Sequence, residues 1–192
     1  RDISTTRLGL ASTRIIGCCA IGGEAVGIAA ALCNKYACDP RELAPHVKEL
    51  QQLILKEDGF LPGFKNEDEK DLALKAKITA SSWEQGGEPE KVANGISRKL
   101  GEEQNGWVTK PGECLIMKWD ETKEIREIRL TFESNFAYPI RVTMAPLRQA
   151  QQRNGVPEEL VKDVKIELYR EGKKTGEAFV KDNYQRLCSV GI

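Results

Sequence analysis

The sequence predicts an α+β chain, a helical segment over residues 1–64 followed by an antiparallel β-sandwich over residues 65–192. Three observations carry this. A run of small and apolar residues from Ser12 to Leu32 leads into a helical-period stripe that closes at Gly59. From residue 77 onward the apolar period becomes two, with turn residues between the runs. Between the halves, Phe60-Leu61-Pro62-Gly63-Phe64 places a Pro-Gly turn between two aromatics. The 192 residues are 40% hydrophobic and 30% charged, ordinary for a soluble globular protein and unlike a disordered or membrane-embedded one. Lysine and arginine total 29 against 29 acidic residues, and the balance holds on both sides of Asp58, which argues against a nucleic-acid partner.

The first element reads STRIIGCCAIGGEAVGIAAAL. Gly23, Gly27 and Ala31 fall four apart and share one helix face with nothing larger than a methyl, so that face is expected to lie flat against a sheet or another helix. The helix is expected to start at Gly22-Gly23, where free N–H groups and the positive dipole end would meet an electron-rich or anionic guest. A membrane span is discounted because Glu24 sits near the middle, the glycines cluster, and about 20 uninterrupted apolar residues are needed. Gly22-Gly23-Glu24 likewise interrupts any signal-peptide core. An ordinary buried helix is the plain alternative.

Cysteines stand at 18, 19, 33, 38, 114 and 188 with no C-x-x-C and a single histidine, which argues against zinc, and no metal site is assigned. Cys18 and Cys19 are too close for an unstrained mutual bridge, and Cys33 would have to reach Cys38 across a helix end. Small buried thiols are the simpler reading, with a redox role for Cys18 or Cys19 as its rival.

The second helix starts at Asp39-Pro40-Arg41-Glu42, with Asp39 as cap, Pro40 at the first helical position and Glu42 reaching back. Pro45 restarts it; Val47, Leu50, Leu53 and Ile54 form the apolar stripe, and Gly59 ends it. His46, at a helix start beside proline, is expected to be solvated or capping, and no Gly-x-Ser-x-Gly nucleophile accompanies it. No catalytic residue is named. Residues 66–71 are expected to form one exposed helical turn. Strands are expected at 78–82, 114–119, 124–132, 164–169 and 177–180, and 146–161 is expected to be a long inserted connection with helical character.

The residues of the opening stretch, an STR followed by Cys-Ala and then Gly-x-Ala-x-Gly-x-Ala-Ala-Ala-Leu, resemble the C-terminal flavin-contacting segment of bacterial FAD-dependent oxidoreductases. The resemblance implies that residues 1–64 complete an FAD-binding domain. It places Arg14, Cys19, Ala20, Ile21, Gly22, Gly23 and Glu24 at the cofactor, with Glu24 where an uncharged glutamine is expected. In the second half ITASS, Val92-Ala93-Asn94-Gly95-Ile96, Asn105-Gly106-Trp107, CLIMKW and EIREIRLTF, in that order, resemble a galactose-binding-like jelly roll, the discoidin or coagulation-factor C-type module. Asn94 stands where that family usually has an acidic residue beside a structural calcium, so no metal is implied. Trp107 and Trp119 are expected in the core. Trp83, in a Gly-Gly-Glu-Pro loop, is the candidate platform for a glycan, with Asn94 and Arg98 as its polar rim, and packing on its own domain is the simpler expectation for it.

Two function classes follow. The first is a fragment of a flavoenzyme with FAD, a small-molecule substrate that only the analogy with the second half suggests is sugar-related, and an appended module that binds a glycan or packs. The second is a non-enzymatic carbohydrate or cell-surface binding module with packing helices. A complete FAD protein needs a strand followed by G-x-G-x-x-G, and none of the 192 residues supplies it, so either the chain is a fragment or the flavin reading is wrong; starting without methionine and stopping before the sandwich closes, it is expected to be a fragment incomplete at both ends. Cysteine usage leaves the compartment open, and a bacterial periplasmic or extracellular setting is expected ahead of the cytoplasm.

Overall fold

A computed structural model describes residues 4–13, 16–135, 144–152 and 155–192. The chain divides into two compact units, Arg1–Ile116 and Met117–Ile192. The class is α+β, helices first and antiparallel strands after.

The first unit opens with α1 (Arg7–Thr13) and α2 (Ile16–Tyr36). The expected start of α2 at Gly22-Gly23 is corrected: the helix begins six residues earlier and runs through both glycines. Nothing between Ile16 and Ala20 breaks a helix, and the penalty of about 1 kcal/mol per glycine is smaller than the cost of nucleating a new helix. A 3-10 turn at Pro40–His46 follows, in which the Asp39 backbone N–H donates to Glu42 Oε2 at 2.9 Å as the sequence predicts. Next comes α3 (Val47–Lys56).

Both long helices end in the same way. In α2 the Cys38 N–H donates to Cys33 O (3.0 Å) and the Ala37 N–H to Asn34 O (3.4 Å), with Ala37 left-handed at φ 50. In α3 the Gly59 N–H donates to Ile54 O (2.9 Å) and the Asp58 N–H to Leu55 O (3.1 Å), with Asp58 at φ 63. These are paired 6→1 and 5→2 bonds, the Schellman arrangement that satisfies the last helix carbonyls and brings the C3 and C″ residues together. At the end of α3 that approach admits only glycine: a Cβ on Gly59 would lie 2.4 Å from Ile54 Cγ2.

Beyond α3 the chain is tied back to the helices by side chains. Gln52 Nε2 donates to Lys65 O (3.1 Å) and its Oε1 accepts from the Glu67 N–H (2.8 Å). The Asn66 N–H donates to Gly95 O (2.8 Å), and Gly95, at φ 85, leaves no room for a Cβ against Asn66 O. Asp71 caps a 3-10 turn at Leu72–Lys75, just after the place where an exposed turn is expected. A strand β1 (Lys77–Ala80) pairs with β2 (Leu115–Lys118). Among the described residues Leu32, Leu43 and Ile78 are the deeply buried large apolar side chains of this unit.

The second unit holds β3 (Glu127–Thr131), α4 (Pro146–Ala150), β4 (Val164–Arg170), β5 (Lys173–Val180) and β6 (Leu187–Gly191). β3 pairs antiparallel with β6, Ile128 facing Val190. β4 and β5 form a hairpin whose connecting Glu171 and Gly172 both have positive φ, 51 and 76, as a two-residue turn matched to strand twist requires. Leu160 is its deeply buried apolar residue. Among the described residues the strands pair as three two-stranded sheets. Each expected strand has a counterpart, but the runs are only four to eight residues long and pair in twos.

Candidate functional site

Two places carry the residues that the sequence singles out. The first is α2. Its packing face is Ala25, Ile28, Ala29, Leu32 and Cys33, spaced as one helical stripe, all partly or fully buried. Leu32 is 3% exposed, as the one large residue that reaches the core. The opposite face, Gly23, Gly27 and Ala31, is exposed, and a Cβ added at Gly22, Gly23 or Gly27 would meet open space. The small-residue face is thus not the one used to pack within the chain.

The N-terminal half of α2 is wholly exposed. Cys19, Ala20, Ile21, Gly22, Gly23 and Glu24 lie on it, with Ile16 86% and Ile21 66% exposed. Cys19 Sγ approaches Thr13 O at 3.8 Å. Arg14 lies outside the described residues. With Gly22 and Gly23 inside the helix, their N–H groups point to the helix's own carbonyls and offer no free donors for an anion. The Gly23, Gly27 and Ala31 face of α2 carries nothing larger than a methyl, a strip that suits an aromatic ring or another element laid against it. By length and composition the helix also meets the requirement for crossing a membrane. The case against a span therefore rests on Glu24 and the glycines.

At its other end α2 is clamped to α3. Glu49 accepts from Lys35 Nζ (2.7 Å) and from the Tyr36 hydroxyl (2.6 Å), and these two donors, in that order, hold its carboxyl below the usual value. His46 stacks on Tyr36 with ring centroids 3.7 Å apart. The expected capping role for His46 is corrected: it precedes α3 without making a side-chain cap, and it serves as a stacking partner. Sequence reading missed this cluster because Tyr36 and Glu49 are 13 residues apart and on different helices.

The second place is the loop around Trp83. The Glu84 N–H donates to Val108 O (2.8 Å), the Val108 N–H to Gly87 O (3.1 Å), and a Cβ on Gly87 would lie 2.4 Å from Val108 Cβ, so the loop is held tightly. The Glu88 carboxylate accepts from the Gly86 N–H and pairs with Lys91; its own backbone N–H, that of Gly86 and Lys91 hold its pKa below the usual value. On this support Trp83 is 51% exposed, whereas Trp107 is half-buried and donates its indole N–H to Ser82 O at 2.8 Å.

Asn94 and Arg98 have internal partners. Asn94 Nδ2 donates to Asn105 Oδ1 (2.6 Å) and its Oδ1 accepts from the Ile96 N–H (2.9 Å). The Arg98 guanidinium donates to Asp58 O and Oδ1 and lies over the Phe60 ring, 5.1 Å from its centroid. Phe60 is thereby held beside the Pro-Gly turn.

Residues 1–54 match the model of the family described as FAD dependent oxidoreductase, a span that takes in α1 and α2 and ends inside α3. The N-terminal part of the chain is therefore similar to a segment of an FAD-dependent oxidoreductase, and FAD is the cofactor that this family implies for the complete protein. No curated protein and no solved structure matches the chain.

Proposed function

We propose that residues 1–54 are the part of an FAD-dependent oxidoreductase that closes over the cofactor, with the exposed half of α2 turned toward the flavin. The observation that carries this is the coincidence of the family match with an open, glycine-lined helix face that the chain itself leaves uncovered. In this reading Arg14 and the Cys19–Glu24 stretch lie at FAD, contributing apolar contact and position, while FAD when bound supplies the electron transfer. In this reading the rest of the chain is an appended galactose-binding-like module, supported by the exposed Trp83 on its braced loop, and a sugar-related substrate follows by analogy with that module.

Gly23→Val in the complete protein tests the contact. The residue's Cβ meets nothing within this chain, so folding of the first unit should be unchanged while FAD content falls. Glu24→Gln should raise the flavin potential, because a carboxylate near the ring opposes its reduction. If flavin absorbance and potential equal those of the parent in both variants, α2 does not face FAD. Retention of the parent protein in carbonate-washed membranes would instead assign α2 as a span.

A further inference from the structure

We propose that Cys33 and Cys38 form a redox-responsive dithiol, closing to a disulfide that staples the C-terminus of α2. The two residues occupy the C3 and C″ positions of the Schellman arrangement, held by the 3.0 Å bond from the Cys38 N–H to Cys33 O. In this motif the C3 and C″ side chains habitually touch. The end of α3 shows the approach directly, since there a C″ Cβ would collide with the C3 side chain. At the end of α2 thiols fill both positions. They interact with one another: burial and the Cys33 thiol are the first causes that push the Cys38 pKa up, followed by Glu42 and Asp39. Both are free thiols here and both are partly accessible, so a small reagent can reach them.

The oxidant is a low-molecular-weight disulfide of the glutathione class. The Cys33 thiolate attacks one of its sulfurs, its S–S bond breaks, and one thiol leaves, giving a mixed disulfide on Cys33. Cys38 then loses its proton and its sulfur attacks the Cys33 sulfur, releasing the second thiol. The protein loses two electrons and two protons, and the reagent disulfide becomes two thiols. The bridge closes a ring over Ala37, the left-handed residue, and over Tyr36, which carries the contacts to Glu49 and His46. The proposal stands apart from the flavin reading, since it rests only on the helix end.

The full chain, equilibrated with oxidised glutathione and then alkylated and digested with trypsin, reads it out. Cleavage after Lys35 and Arg41 separates the two cysteines, so the bridge appears as the 36–41 peptide linked to the peptide ending at Lys35. The linked pair should be lost completely in Cys33→Ser and persist in the Cys18→Ser, Cys19→Ser double variant, while the exposed Cys114 carries glutathione instead. Reduced glutathione should restore alkylation of Cys38. If Cys38 emerges glutathionylated to the same extent as Cys114, or linked to Cys18 or Cys19, the proposal fails. Circular dichroism of Cys33→Ser checks that the helix end is intact; should that variant unfold, fragmentation of the linked peptides from the parent decides which cysteine is joined to Cys38.

Discussion

At the scale of single residues, the Trp83 loop and the Asp58 region separate binding from support. Arg98 has a side chain 20% exposed, and its charge is spent on Asp58 and on the face of Phe60. Arg98→Ala removes charge-assisted hydrogen bonds and the stacked cation, and should destabilise the first unit by about 2 kcal/mol. Trp83 reverses the expectation, because half of its ring faces solvent and its loop is held by backbone bonds that the side chain does not make. Trp83→Ala should leave the melting temperature within error, and if the ring stacks on a sugar it should weaken retention on a glycan array about fivefold, the equivalent of about 1 kcal/mol. Retention that follows Arg98 at constant stability, with Trp83→Ala silent, would move the site away from the loop. Residue types and order made Trp107 legible as structural, whereas the exposure of Trp83 was not legible, because a tryptophan in a loop can equally pack on its own domain. The sequence does not show that Arg98 would be claimed by Asp58, forty residues away.

Elements were legible wherever a local signal sufficed. The Asp39-Pro40 start, the stripe on α3 and its end near Gly59 all depend on neighbours within one or two turns. The start of α2 was not legible, because a pair of glycines can equally begin a helix or be carried inside one, and the flanking apolar residues decide. β6 went unread: LCSVG is short, and its strand character comes from pairing with β3. The hairpin of β4 and β5 shows how charge can decide pairing. Glu167 and Glu177 face one another in register, a like-charge pair that would splay the strands. Lys174 sits between them, 2.9 Å from Glu167 Oε1, while Lys165 approaches the same oxygen at 2.7 Å. Bonds from Lys165, Lys174 and Tyr169 push the Glu167 carboxyl down to about 2 from its ordinary 4.5. A pKa depressed by folding stabilises the hairpin above pH 4.5, and that contribution is lost as the pH falls toward about 2. Carboxyl shifts followed by NMR should show Glu167 titrating well below the other glutamates, and cross-hairpin contacts should weaken over that window. In Glu167→Gln the weakening should be absent.

For the molecule as a whole, the first unit is held together by long-range polar ties more than by a core. Among the described residues its deeply buried large apolar side chains are Leu32, Leu43 and Ile78, while Leu8, Ile16, Ile21 and Val26 on the first two helices are left exposed. A surface of that kind is what a segment built to be covered by a larger FAD-binding domain would show, which is why the family match and the geometry support the same reading. The same ties cross residue 64, where composition and period change. Gln52 holds residues 65 and 67, and Arg98 holds Asp58. A chain ending at residue 64 therefore loses Gln52's two partners and the Arg98 cation that pairs with Asp58, and with them the ties that hold the end of α3. A chain ending after Trp119 keeps those ties and the whole of β2. The expected result is that residues 1–119 resist limited proteolysis at α3 as the full chain does, whereas residues 1–64 are cut there readily. In the complete protein, removal of everything after Trp119 should leave FAD content unchanged. Equal protection of the two short chains would show that residues 1–64 stand alone and that the ties across the boundary contribute nothing measurable.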